Sequence, residues 1–444
     1  MSSEFNKEGQ ILRIGLEKIL PENRIFELAR ETEFCQRVRK IHPVTFLQVL
    51  LFSTCNHRHV TVAEIHRNYK AHTRADVTYS SFIGRLNESA IHFCEAVLDE
   101  CILSAASGLT LELQEKYTRF VTIFIQDSTI IRLNKKLADR FPATRSRKIA
   151  AGVKIGYLFN VLANSPRTVS IVPERTAEIK TLKLGPWVKG SLLLMDLGFY
   201  TYRLFVRIHE NRGFFVSRVK KGSKLRIEAV HSPREKNQSE ALIGQDFLTV
   251  ITGLDMKSFD TTVSFRFKRR QYRGEQRTER YKFRCIGRVH PESGEWHCYL
   301  TNLNQDEFTA DEIAELYRFR WEIESLFDEA KNECSLGDIA VKREEATMTL
   351  LYVMLIRQFV LKRVYLVLRT LLDEDTRQRL SPKLYGRVFI EQMGVLLKNL
   401  TDEWKTLRTQ DFEGSGWGFW FEVLSSQSLQ AYPRKLVRDT VLKR

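Results

Sequence analysis

The chain has 444 residues, of which 43% are hydrophobic and 28% charged, and its 70 Lys plus Arg against 54 Asp plus Glu give a formal net charge of +16. The length allows roughly two to four domains, and the composition is too apolar for a disordered chain and too charged for a multi-span membrane protein. The opening MSSEFNKEGQ holds no apolar leader core, and the most apolar stretch, Ala346 to Leu361, is broken by Arg357 and falls short of the roughly 20 residues a span needs.

Residues 1–115 read as a helical N-terminal domain. Apolar positions recur at helical spacing through Ile11–Leu20, Ile25–Val38, Val44–Leu51 and Phe93–Leu103. Thr61-Val-Ala-Glu64 is a capping-box start for a short helix, and another is expected over Ser80–Asn87. Two short helices with Ser80, Ser81, Arg85 and Asn87 exposed on the second suit a DNA-reading unit. An ordinary bundle with a solvated basic face accounts for the same residues.

From residue 119 the texture changes to strands. Phe120–Ile125 is a buried-strand run ending at Gln126-Asp127-Ser128, and Gly152–Leu162 and Thr168–Val172 read as the next two strands. A polar, helix-compatible stretch (Ala177–Leu184) precedes the run Ser191–Asp196; a helix is expected over 201–210 and a strand over Phe214–Val219. This order predicts a mixed α/β sheet. The stretch 226–305 breaks the alternation, with strand-like pieces around 246–251, 261–268, 280–289 and 296–302, and reads as an antiparallel β insertion. At its centre Arg266, Lys268, Arg269, Arg270, Arg273, Arg277, Arg280, Lys282 and Arg284 interleave with aromatic residues. Such a ribbon suits a phosphate backbone, and equally a charged edge that stays soluble. After Asn304 the chain turns helical again, and 336–444 reads as a helical C-terminal region suited to dimerisation, DNA contact or plain packing.

The charge is uneven. Residues 1–115 carry 13 basic and 15 acidic groups and residues 336–444 carry 18 and 13, which leaves 39 basic and 26 acidic groups in the middle of the chain, 116–335. A basic surplus fits a polyanion partner. The seven cysteines are scattered without a CxxC, which argues for reduced thiols in a cytoplasmic protein and against a Cys-based metal site.

Thr309-Ala-Asp-Glu312 is a capping box, so a helix begins near residue 310. On a helical wheel Leu316, Ile323, Phe327, Ala330 and Cys334 form one apolar stripe, and Tyr317, Arg320, Glu324, Asp328 and Lys331 form a polar stripe beside it. A row of Tyr, Arg, carboxylate and Lys at a core edge suits joint binding of an anion and a metal; i,i+4 surface pairs such as Arg320–Glu324 are the plainer explanation. Asp127 and Asp196 are expected at strand ends, where ligands of open α/β sheets gather. Two such aspartates plus a helical glutamate can hold two divalent ions that clamp the attacking and leaving oxygens of a phosphodiester displacement. Oxygen-only ligation favours Mg²⁺ or Mn²⁺.

Tyr317-x2-Arg320-x3-Glu324-x6-Lys331 resembles, in every position, the Tyr-Arg-Glu-Lys signature of the insertion-sequence-four group of bacterial DDE transposases. Gln126-Asp127-Ser128-Thr129 is similar to that group's first-aspartate segment and Asp196-Leu-Gly-Phe-Tyr200 to its second, and the resemblance covers roughly residues 20–370. It implies a ribonuclease H-like catalytic domain that cuts transposon ends and joins the freed 3′ hydroxyl to target DNA. By position, it implies Asp127, Asp196 and Glu324 as ligands of two Mg²⁺ or Mn²⁺ ions, and Tyr317, Arg320 and Lys331 as contacts to end DNA. Some members stack a flipped base on a tryptophan of the insertion, which makes Trp296 the candidate, with a core or strand-surface role as the alternative. Arg269, Arg270, Arg273 and Arg85 are the remaining candidate DNA contacts. Synapsis of two double-stranded ends implies a homodimer, with no membrane partner. The competing activities are a ribonuclease H-like nuclease without strand transfer and a catalytically inactive DNA-binding derivative.

Overall fold

The computed structural model describes residues 7–12, 14, 21–53, 61–106, 115–144, 150–163, 165–232, 236–269, 271, 275–290, 293–320, 341–381, 383–392 and 415–429. Its centre is one mixed sheet of nine strands in the order β3-β2-β1-β4-β5-β9-β8-β7-β6. These are β1 (Ile123–Leu133), β2 (Ala151–Asn160), β3 (Ser165–Pro173), β4 (Leu192–Met195), β5 (Phe214–Arg218), β6 (Arg226–Val230), β7 (Ser258–Lys268), β8 (Thr278–Val289) and β9 (Trp296–Thr301). β1, β2 and β3 are antiparallel neighbours. β4 reads Leu-Leu-Leu-Met, is buried at every position and runs parallel to both β1 and β5, as an uninterrupted apolar strand covered on both faces should.

The antiparallel strands of the 226–305 stretch extend this sheet: β9 pairs with β5 through Val216↔Thr301, and β8, β7 and β6 follow. Two expectations change here. Residues 246–251 form no strand; they are the helix Phe247–Ile251, whose N-cap Asp246 accepts from the Thr249 N–H at 3.2 Å. The sixth strand is instead the half-exposed Arg226–Val230, which alternates too weakly to stand out in the sequence. The first strand also begins later and runs further than its apolar core suggests. Pairing with β2 continues to Leu133↔Ala151, whereas pairing with β4 ends at Gln126↔Met195.

The N-terminal helices are α1 (Glu22–Glu31), α2 (Pro43–Ser53), α3 (Val62–Thr73), α4 (Tyr79–Ile83) and α5 (Glu88–Ala106). Thr61 caps α3 as expected: its Oγ1 accepts from the Glu64 N–H at 3.2 Å. α1 is shorter than the expected Ile25–Val38, because Thr32 caps it and Glu33 takes the left-handed φ of 59°. α4 likewise stops at Ile83, short of Asn87, with Gly84 as its C-cap. Most of the expected Ile11–Leu20 helix lies outside the described residues.

Three cores result. On one face of the sheet Ile123, Ile125, Leu194 and Val216 pack against Ile313, Leu316 and Phe319 of the helix at 310–320. On the other, Phe124, Leu193, Met195 and Phe215 meet Phe205, Phe247 and Phe265. The alternation of odd and even positions along β1 is the strand period of two. The third core joins Phe46 and Leu50 of α2, Phe93 and Val97 of α5, Ile131 and Val153 of the sheet, and Leu350 and Ile356 of a long helix, Glu344–Leu371. Among the described residues the five cysteines are buried and unbridged, and no helix is long and apolar enough to cross a membrane.

Candidate active site

Strand register brings the two aspartates together. The last registered pairs in the central parallel strands are Gln126↔Met195 and Met195↔Ser217. One residue further on, Asp127, Asp196 and Arg218 therefore form a row across β1, β4 and β5. Each stands two positions beyond Ile125, Leu194 or Val216, which all face the helix at 310–320. Alternation thus points all three toward that helix. Asp127 does not close its strand as expected. It sits inside β1 at the point where β4 has ended, so that among the described strands only β2 continues beside it.

The helix is fixed by reciprocal capping. The Thr309 N–H donates to Glu312 Oε2 at 2.8 Å and the Glu312 N–H to Thr309 Oγ1 at 3.3 Å. Arg284, 7% exposed, ties its start to the insertion: it donates to Asp260 and to the carbonyl oxygens of Asn304 and Phe308. Tyr317 and Arg320 are then buried at 1% and 2% exposure. Arg320 lies over the Tyr317 ring at 5.3 Å, and the Tyr299 ring flanks Tyr317 at 5.2 Å. Arg320 Nη2 approaches Asp196 Oδ1 at 3.7 Å, an ion-pair contact too long for a hydrogen bond. Burial pushes the Tyr317 phenol up to about 12, with Arg320, Asp196 and Arg218 as its charged neighbours. The phenol is therefore protonated at any working pH.

The result is a pair of carboxylates facing a buried cation. Asp127 Oδ1 accepts the Ser128 N–H at 2.8 Å, which fixes the side chain, while the Asp196 side chain is 42% exposed. Oxygen donors alone, juxtaposed on adjacent strands with solvent access, fit a hard divalent cation. Among the described residues no group of three or more His, Cys, Asp or Glu could hold a metal, so the described part offers two of the expected three carboxylates. Glu324 and Lys331 lie outside the described residues, as do Asp328, Arg270 and Arg273.

The remaining candidates have protein partners. Arg269 is held between Glu210 and Glu279, and Arg85 Nη1 donates to the Phe34 carbonyl oxygen at 3.2 Å. Trp296 is half-buried and packs against the second core beside Gly287. The basic ribbon is largely neutralised: Glu228 takes Arg280 and Lys282, and Asp260 takes Arg284. Arg266 and Lys268 stay exposed.

Two features escaped the sequence reading. Arg218 was invisible because only pairing of β4 with β5 sets it beside Asp196. It opens the run Arg218-Val-Lys-Lys-Gly-Ser-Lys224, in which Lys220, Lys221 and Lys224 are exposed just past the end of β5. A basic run directly after an apolar strand was the available signal.

The family described as "Transposase DDE domain" matches residues 119–357, more than half of the chain. The chain is 20% identical over 410 residues to the transposase for insertion sequence element IS1151 of Clostridium perfringens, covering 86% of this chain and 87% of that one. It is 21% identical over 406 residues to the transposase for insertion sequence element IS231E of Bacillus thuringiensis subsp. finitimus, covering 86% and 85%.

Proposed function

The chain belongs to the transposase DDE-domain family, and on that footing we propose that it cuts the ends of a mobile DNA element and joins each freed 3′ hydroxyl to target DNA. The observation that carries this reading is the row of Asp127 and Asp196 on adjacent parallel strands, facing the buried Tyr317–Arg320 pair. The β3-β2-β1-β4-β5 half of the sheet is read as ribonuclease H-like, which the placement of both aspartates beside the central parallel strands supports.

In this reading Asp127, Asp196 and Glu324 would hold two Mg²⁺ or Mn²⁺ ions, which would supply Lewis-acid activation for phosphodiester cleavage and transfer. Arg320 balances the carboxylates and would meet the phosphate from the position it already holds. Because Arg320 is buried, its position is set before DNA binds. Tyr317 holds its guanidinium in place, and Lys331 is the proposed contact to the end DNA. Arg218 and the Lys220, Lys221 and Lys224 loop extend that path along the phosphate backbone. Arg269, Arg85 and Trp296, each engaged within the protein, serve structure in this reading, and Arg270 and Arg273 remain candidates for backbone contact. Two ends require a second copy of the chain, acting in the cytoplasm where a bacterial chromosome lies.

The test is a cleavage assay on DNA carrying the element's terminal repeats, followed by strand transfer from pre-cut ends into a plasmid. Asp127→Ala, Asp196→Ala and Glu324→Ala should each abolish metal-dependent cleavage while DNA binding survives. Cleavage without joining of pre-cut ends would leave a nuclease.

A further inference from the structure

On the sheet face opposite the aspartates, a short 3-10 segment, Glu178–Thr181, crosses behind β1 and reaches the turn that carries Asp196. Ser128 links the two faces. Its N–H holds Asp127 Oδ1 at 2.8 Å, while its Oγ donates to Glu178 Oε1 at 2.9 Å. The other oxygen of Glu178 lies against Gly198, two residues past Asp196, so close that a Cβ on Gly198 would land on it. One carboxylate thus touches both the β1 segment that bears Asp127 and the turn that bears Asp196.

The segment itself is seated by side-chain absence and by hydrogen bonds. Gly156 is registered opposite Ser128, and a Cβ there would collide with Thr181. Thr181 Oγ1 donates to the Glu178 carbonyl oxygen at 2.7 Å and accepts from Gln126 Nε2 at 3.4 Å. Two glycines therefore leave the space that Glu178 and Thr181 fill, and the hydrogen bonds run back into β1 on either side of Asp127.

We propose that Glu178 is a positioning residue: from behind the sheet it sets the separation and orientation of Asp127 and Asp196, and so the metal affinity of the site. Glu178 does not face the site and is no ligand. It acts through Ser128 on one aspartate and through the Gly198 turn on the other, as hydrogen-bonded partners behind metal ligands do elsewhere. The inference rests on the proposed two-aspartate metal site.

The experiment is direct Mn²⁺ titration of the full chain without DNA, read by the electron paramagnetic resonance of free Mn²⁺. Thermal unfolding and DNA binding in chelator serve as controls. Glu178→Ala should weaken Mn²⁺ binding by about 10-fold with DNA binding unchanged, and Glu178→Gln, which keeps an oxygen for the Ser128 hydroxyl, should stay close to wild type. Ser128→Ala, which keeps the N–H to Asp127, should weaken Mn²⁺ binding in the same direction without adding to Glu178→Ala in the double variant. It decides the question if Glu178→Ala fails to fold. Wild-type Mn²⁺ affinity in Glu178→Ala, or in Ser128→Ala where that variant decides, would overturn the positioning role, provided Asp196→Ala loses binding. Wild-type affinity in Asp127→Ala and Asp196→Ala would instead overturn the site and this inference with it.

Discussion

Tyr317 and Arg320 show how much a residue pattern says about a site and where it stops. Their spacing placed them on a polar stripe bordering an apolar one, and both are buried at that border. Arg218 has no such pattern. It is set beside Asp196 only by the register of two parallel strands, which a sequence of one chain does not display. Arg218→Ala should lower the cleavage rate at saturating DNA by roughly 10- to 100-fold while leaving Mn²⁺ affinity intact. An equal loss of metal binding would show that Arg218 acts on the carboxylates and not on DNA. The charge balance of the ribbon also differs from its sequence reading, because Glu228 lies on β6, far from the arginines in sequence. Hydrogen bonds from Ser264 and Lys282 hold the Glu228 carboxyl at about 2, well below the usual carboxylate range. A depressed carboxylate contributes stability that is present above its unfolded value and lost as pH falls through its folded value. Glu228→Gln should therefore unfold at a lower temperature than wild type at pH 7, with the gap closing between about pH 4.5 and pH 2. Salt should narrow it, since Arg280 and Lys282 are about half exposed.

Elements with a strong local signal form where the sequence puts them. The Thr309 capping box closes, Thr61 caps its helix, and the all-apolar β4 is a buried parallel strand. Residues 246–251 show the opposite case. Phe-Leu-Thr-Val-Ile has strand composition, yet Asp246 caps a helix there and Phe247 and Ile251 enter the core from one side of it. A short apolar run cannot distinguish the two states by periodicity. The helix at 310–320 depends on a distant residue, since Arg284 ties down its start. Arg284→Met leaves Asp260, only 14% exposed, without its guanidinium, and should destabilise the protein by about 3–5 kcal/mol. Urea unfolding of Arg284→Met against the double variant Arg284→Met, Asp260→Leu checks this: the double variant should recover part of the loss. A single variant within about 0.5 kcal/mol of wild type would remove Arg284 from this role.

At the scale of the whole molecule, the expected division into an N-terminal helical region, a catalytic centre and a C-terminal helical region follows composition, whereas packing crosses it. α2 and α5 bury their apolar faces against the helix Glu344–Leu371 and the far end of β1 and β2. No periodicity in residues 1–115 names that partner, since an amphipathic face states only that it must be covered. The isolated fragment 1–106 should therefore lack cooperative thermal unfolding, and a sharp transition with dispersed amide resonances would show that it folds alone. The same architecture explains where the net charge of +16 acts. Ion pairs consume much of the basic ribbon, while register sets Arg218 beside Asp196 and Lys220, Lys221 and Lys224 stay exposed on the loop that follows β5. In the proposed function, positive charge draws DNA to a small acidic centre that would hold the metal ions. The most direct measurement is cleavage of terminal-repeat DNA by wild type and by Asp196→Ala, with Mg²⁺ and with chelator, alongside a binding assay. Wild type should cut only with metal and Asp196→Ala should bind without cutting; cleavage by Asp196→Ala at the wild-type rate would contradict the account.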